Sequence, residues 1–366
     1  MRRILFALCL AAAPPASAQA VPPRGAAITT PLNATEARRT ADELAKMLEA
    51  RFVYPETGAR YAAMLRTKAG AGGYDRFTDR EALARAMTDD LQAVTPDGHL
   101  KVFAGDPDAP SAGTAPAGAP APPPVRPPAM ERAGWIAPGI AFVRFNLFPD
   151  DPAITAAAAK FMADHAEART IIFDIRTHRG GGLAQMDAIF PWLFARPTRL
   201  LSMATRKSVD AEVGSVFGDA KSLRIVEASP DFVTREHWAL PGSDTRLRDA
   251  KIYVLTAPRT GSAAEHFALA MKQTGRGTLI GSHTAGANHF GGIEKVGAFA
   301  AFIPVGRSYD PSNGKDWEGT GVLPDIDVAP ERALVEALTR SGVAAADAER
   351  LSSDYMPTTP MVRKPR

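Results

Sequence analysis

A serine set between an apolar run and a helical pattern could supply a nucleophile. Gly261-Ser262-Ala263-Ala264-Glu265-His266-Phe267 follows Ile252-Tyr253-Val254-Leu255 and leads into Ala264, Phe267, Ala268 and Met271 at helical spacing. A strand, a short turn and a serine in the first turn of a helix lift the hydroxyl off a sheet edge. The free N–H groups and positive end of the helix then lie beside any oxyanion that forms there. Serine is also a favoured helix cap, so the pattern alone reads either way.

Three other segments could complete such a site. Asp174-Ile175-Arg176-Thr177-His178-Arg179-Gly180-Gly181-Gly182 stands where an apolar strand pattern ends and a helical one begins. Its glycines expose backbone N–H groups, as in a tight turn or an anion site. No Gly-Lys-Ser/Thr follows, so a phosphate loop is a poor reading. Gly180 or Gly181, together with Ala263, could instead form an oxyanion hole. His99, directly after Asp97-Gly98, is a candidate base, since imidazole suits proton transfer near neutral pH. Among the seven histidines, His178 and His289, both in glycine-rich loops, are its rivals, and His266 shares the helix with Ser262. Glu318, in Asp316-Trp317-Glu318-Gly319-Thr320-Gly321-Val322, is either a solvated loop carboxylate or an acid that orients the base.

The elements that must position these residues fall into five stretches. Residues 1–20 read as a secretory signal, with Arg2 and Arg3, an apolar centre and Ala16-Ser17-Ala18. Residues 21–104 read as an N-terminal helical lobe, with helices near 35–52, 58–68 and 79–94, closing in the Asp-Gly-His turn and a short strand. Residues 105–134 form a Pro/Ala-rich linker whose composition cannot bury a core. Residues 135–345 alternate strand and helix patterns and form the candidate catalytic core, with 208–240 ambiguous. Residues 346–366, with Pro357, Pro360 and Pro365, read as a flexible tail.

Composition narrows the classes. The 45% hydrophobic content suits a globular protein. Loss of Arg2 and Arg3 with the leader lowers the formal charge from +3 to +1, which argues against a nucleic-acid partner. The leader's apolar run is too short for a permanent membrane anchor. Cys9, the single cysteine, lies inside the leader, so the mature chain has no disulfide and no thiolate metal site. The expectation is an exported, periplasmic or secreted bacterial protein, of unspecified oligomeric state.

Taken in this order, the four segments resemble the tail-specific, or C-terminal-processing, family of serine peptidases. The resemblance covers about 35–338 and is nearest to the branch of the tricorn core and the interphotoreceptor retinoid-binding protein modules. It implies an α/β fold with a crotonase/ClpP-like core, a mainly parallel sheet and a small all-helical N-terminal lobe. It implies Ser262 as nucleophile, Gly180 or Gly181 with Ala263 as oxyanion hole, His99 as base and Glu318 as its acidic partner. Substrates would be peptides or proteins, with no cofactor and no metal. The lysine base of the bacterial tail-processing enzymes has no counterpart, because Thr284-Ala285-Gly286-Ala287 carries alanine in its place. His178 replaces the family's asparagine in the glycine turn. The segment between Phe103 and Trp135 is too short for the PDZ domain that many relatives carry.

Two other readings compete. A retinoid- or fatty-acid-type binding module on the same fold would use an apolar pocket lined by Trp135, Trp192 or Trp317. A metallohydrolase would need His283, His289 and Glu294, whose spacing is not that of a helix-face ligand pair.

Overall fold

The computed structural model describes residues 31–105 and 127–362. The leader and most of the linker lie outside the described residues.

The N-terminal lobe is built from α1 (Ala34–Arg51), α2 (Pro55–Gly70) and α3 (Arg80–Val94). Asn33 and Asp79 cap α1 and α3 by accepting from the amides of Glu36 and Ala82. Pro55 starts α2, where the missing N–H costs nothing. Leu44, Leu48, Phe52, Tyr61, Leu65, Leu83, Met87 and Leu91 close on one another as a core. That core is not self-contained. Phe299, Ala301, Ile303 and Val305 of strand β11 belong to it, so the lobe is welded to a sheet.

Two six-stranded sheets follow. The first has the order β1 (Lys101–Ala104), β11 (Phe299–Tyr309), β5 (Thr198–Arg206), β7 (Phe232–Ala239), β6 (Leu223–Ala228), with β10 (Phe290–Val296) also paired to β11. All its pairings are antiparallel. The second has the order β12 (Ile326–Asp327), β9 (Thr278–Gly281), β8 (Lys251–Thr256), β4 (Thr170–Asp174), β3 (Ile140–Phe145), β2 (Met130–Ala137). It is parallel except for the edge pair β2–β3. The expectation of a mainly parallel sheet therefore describes one sheet of two. The sequence pattern missed β10, whose Gly291 and Gly292 dilute the apolar alternation. Its short turn to β11 through Gly297, at φ 58°, makes an antiparallel hairpin.

The parallel sheet is apolar on both faces, which is why its strands read as continuous runs. Ala141, Val143, Ile171, Phe173, Ile252, Val254 and Leu279 face one cluster, which also takes in side chains of α4 (Pro152–Asp164), α5 (Ala184–Leu193) and α7 (Ala263–Gln273). Ile140, Phe142, Ile172, Tyr253, Leu255 and Ile280 face a second, with Leu334, Val335 and Leu338 of α8 (Ala333–Arg340). The short α6 (Lys207–Val213) packs against the lobe through Val209. The segment read as a flexible tail instead carries α9 (Ala345–Asp354), because Ala348 and Leu351 have an apolar face to bury beside α8. No helix among the described residues is long and apolar enough to cross a membrane.

A buried ionic knot fastens the end of β4. Asp174 accepts from Arg176 Nε and Nη2 at 2.8 Å each and from Arg144 Nε at 2.9 Å. All three side chains are almost wholly buried. Arg144 also reaches Glu131 and the carbonyl of Tyr355, and Arg176 the carbonyl of Pro330. Burial works against the Asp174 carboxylate, but the two guanidiniums outweigh it and hold its pKa below the usual range. Removing one partner of such a knot strands buried charge. Asp174→Asn is therefore expected to cost about 3–5 kcal/mol of stability, measured by denaturant unfolding.

Candidate active site

Ser262 stands between β8 and α7 with φ 59° and ψ −123°. Arg132 is the other described non-glycine residue with positive φ. An L-residue is strained in this region and holds there only when its surroundings dictate it. Here they do. The Ser262 N–H donates to Glu265 Oε2 at 2.8 Å. The Glu265 N–H donates to the Ser262 carbonyl, and Ser262 and Glu265 pair as a capping box across the first turn of the helix. Gly261 N–H donates to the His178 carbonyl, and Thr260 Oγ1 to the Ile175 carbonyl, tying this turn to the glycine turn.

Glu265 is the hub of the serine turn. Its Oε1 accepts from Thr284 Oγ1 and Gly286 N–H, and its Oε2 from Ser262 and Ala287 N–H. Burial pushes its carboxyl up, and these four donors oppose that push. The sequence reading passed over Glu265 as a site residue, although Ser-x-x-Glu before an apolar run is a legible capping signature.

The glycine turn lies against the serine. A Cβ on Gly180, which has φ 117°, would stand 2.7 Å from Ser262 Cβ. Gly180 N–H folds back to His178 Nδ1 at 3.0 Å. The amides of Gly181 and Ala263 have no acceptor among the described residues, so of the two glycines Gly181 is the one with an open donor. Gly181, Ala263 and Ser262 line one cleft of about 30 Å³.

The candidate bases are now separable. His178 is wholly buried, and burial, then the charge of Arg179, pushes its pKa down to about 3. Its Nδ1 already accepts from Gly180, so it acts as a prop for the turn. His289 donates from Nδ1 to Asp97 Oδ2 at 2.6 Å and lines a different cleft, with Tyr54, Tyr61 and Glu318. His99, on the loop between α3 and β1, stacks on Phe302 with ring centres 5.2 Å apart. Its loop reaches the serine turn by a short relay. A Cβ on Gly98 would stand 3.0 Å from Ala287 Cα, and Ala287 N–H shares the Glu265 carboxylate oxygen that holds Ser262. A long side chain at 287 would run into Gly98, so alanine there makes room for the Asp-Gly-His turn.

Glu318 fixes that approach. It accepts from the amides of Gly98 (2.5 Å), Asn288 (2.6 Å) and His289 (3.1 Å), clamping lobe to core. Asp97 accepts from the amides of His99 and Leu100 and from His289. Asp97, His289 and Glu318 are close enough together to hold a metal ion, yet hydrogen bonds already account for their arrangement. The set His283, His289 and Glu294 is not brought together: His283 is exposed and Glu294 pairs with Arg51. The tryptophans also separate, with Trp135 47% exposed against His165 and Trp317 buried at the serine cleft.

Residues 139–328, just over half of the chain, match the family described as "Peptidase family S41". Residues 33–134 match the "N-terminal domain of Peptidase_S41 in eukaryotic IRBP". The chain belongs to peptidase family S41 and is thereby a serine peptidase, a hydrolase acting on peptides or proteins. Its fold is similar to that of the photosystem II D1 C-terminal processing protease, at TM-score 0.52 and 17% identity, over 85% of this chain and 99% of that one. A candidate peptidase from Parabacteroides merdae ATCC 43184 gives 0.55 and 16%, over 85% and 98%. A lipoprotein from Streptococcus agalactiae gives 0.50 and 12%, over 84% and 94%.

Two outcomes test the geometry. Gly180→Ala, strained at φ 117° and pressed on Ser262, is expected to lower the reactivity of Ser262 toward a fluorophosphonate at least about 100-fold, read by mass-spectrometric labelling rates. The second concerns pH. Burial disfavours charged His289, but Asp97 outweighs it and raises its pKa above 6.5, while burial of Asp97 is likewise outweighed by His289, so its pKa falls below 3.8. The stabilisation from His289 is full below pH 6.5 and lost as pH rises through its raised value. The stabilisation from Asp97 is lost only as pH falls through its depressed one. The difference in Tm between the wild type and His289→Phe is expected to shrink from pH 6 to pH 9.

Proposed function

We propose that the chain is an exported serine peptidase that cuts peptide bonds through an acyl-enzyme. Ser262 is the nucleophile, His99 the general base, Glu318 the acid that positions it, and Gly181 with Ala263 the oxyanion hole. The observation that carries the reading is Ser262 held at φ 59° beside two open amides. A turn shaped only for capping has no need of that strain.

The Ser262 oxygen attacks the peptide carbonyl carbon as His99 takes its proton. The negative charge on the carbonyl oxygen is met by the Gly181 and Ala263 N–H groups. Collapse breaks the C–N bond, and His99 returns the proton to the leaving amine. Water then attacks the acyl-serine with His99 again as base, freeing the acid. Glu318 acts through backbone amides on both sides of His99's approach, so it governs where the imidazole stands.

The leader at residues 1–20 supports export, and the match along the chain supports a core of the crotonase/ClpP type. The apolar-ligand module fits less well. Pockets that bury such ligands measure about 300–1,000 Å³. The cleft at Ser262 is about 30 Å³, and the more open cavity that Trp317 also lines is about 260 Å³.

A fluorophosphonate probe is expected to label Ser262 in the purified protein and to leave Ser262→Ala unlabelled. His99→Ala is expected to label about 100-fold or more slowly. Labelling at the wild-type rate in His99→Ala would remove His99 from the mechanism.

A further inference from the structure

The cleft at Ser262 carries polar atoms that the acyl-transfer reading does not use. Asn288, 4% exposed, lines it. Its Nδ2 donates to the Ser308 carbonyl at 2.7 Å, which fixes the amide orientation and leaves Oδ1 buried without a partner. Its backbone N–H is held by Glu318, so the side chain cannot turn away cheaply.

His266, one helical turn beyond Ser262, lines the same cleft. Its ring is oriented by a buried relay. His266 Nε2 meets His237 Nδ1 at 2.9 Å, and His237 Nε2 meets Asp187 Oδ1 at 3.0 Å. Asp187 Oδ2 accepts from Ser222. The tautomers follow from the far end. A carboxylate only accepts, so His237 Nε2 carries hydrogen and His237 Nδ1 is the acceptor. His266 Nε2 must then donate, which leaves Nδ1 as the acceptor of a ring that lines the cleft. Trp317, which also lines the cleft, has an indole N–H that is buried without a partner.

An unmatched acceptor on Asn288 and an unmatched donor on Trp317, beside the His266 ring and about 30 Å³ of space, suit a short side chain with a hydroxyl. We infer that this cleft is the subsite for the residue whose carbonyl is attacked, and that Asn288 and His266 select serine or threonine there. The inference rests on Ser262 being the nucleophile, because the cleft gains this meaning from the hydroxyl and amides at its mouth. Threonine gives the orphaned Asn288 Oδ1 a donor. Valine, of the same shape, leaves it stranded, and a site built to bond a hydroxyl rejects such an isostere strongly. His237 and Asp187 are positioning residues that act through His266.

The purified protein is incubated with a mixture of synthetic peptides holding every residue at each position, and cuts are mapped by mass spectrometry. Matched quenched peptides with Thr or Val before the cut bond are then compared. The expected result is cuts after Ser or Thr, with kcat/KM for Thr at least about 100-fold above Val. In Asn288→Leu and His266→Phe, each checked for folding by thermal melting, the ratio is expected to fall to within a few-fold of one. Fluorophosphonate labelling of the wild type separates the two readings. Labelling with equal cutting after Val and Thr overturns the subsite and leaves the peptidase standing. A preference unchanged in both folded variants also overturns it. Neither labelling nor cutting overturns both.

Discussion

One carboxylate sets the geometry of the site. Glu265, buried in the first turn of α7, gathers the amides of Ser262, Gly286 and Ala287 and the hydroxyl of Thr284. Those bonds hold a backbone conformation at Ser262 that would otherwise relax, and they bring the loop after β9 against the serine turn. Everything nearby is referred to that anchor. The glycine turn presses on Ser262 from one side, and the Asp-Gly-His turn approaches Ala287 from the other. Charge is thereby placed where it organises amides.

The two halves of the chain meet through polar clamps laid over an apolar weld. Phe299, Ala301, Ile303 and Val305 join the helical lobe to the antiparallel sheet, and Glu318 and Asp97 set the fine position of the Asp-Gly-His turn. Apolar burial supplies most of the association but is poor at fixing an angle. Short hydrogen bonds from several amides to one carboxylate fix it well. The division of labour explains why Glu318, which touches three backbone groups, stands among the candidate site residues although it offers them no proton.

The fold was largely readable where a single period dominates. The three lobe helices, the Asp151-Pro152 helix start and the strands over 140–145, 170–174 and 251–256 follow from spacing and caps alone. The antiparallel sheet was less legible. Its strands β6, β7 and β10 alternate weakly, and β10 carries paired glycines, so their identity depends on partners distant in sequence. At the site, Ser262, Ala263, Gly181 and Glu318 could be picked out because special turns demand special residues. Glu265 was available from its spacing to Ser262. Asn288 and the His266–His237–Asp187 relay were not, since their meaning lies in which polar atoms burial leaves unmatched, and no local pattern records that.

The knot at Asp174 bears on how the molecule matures. Arg144 and Arg176 hold the strand end from which the glycine turn springs, and both complete their bonding with carbonyls of Pro330 and Tyr355. Those acceptors are synthesised long after the turn itself. A nascent polypeptide still threading out of a ribosome lacks them. The knot thus ties a turn made midway along the polypeptide to segments that flank α8 and α9, the last described helices.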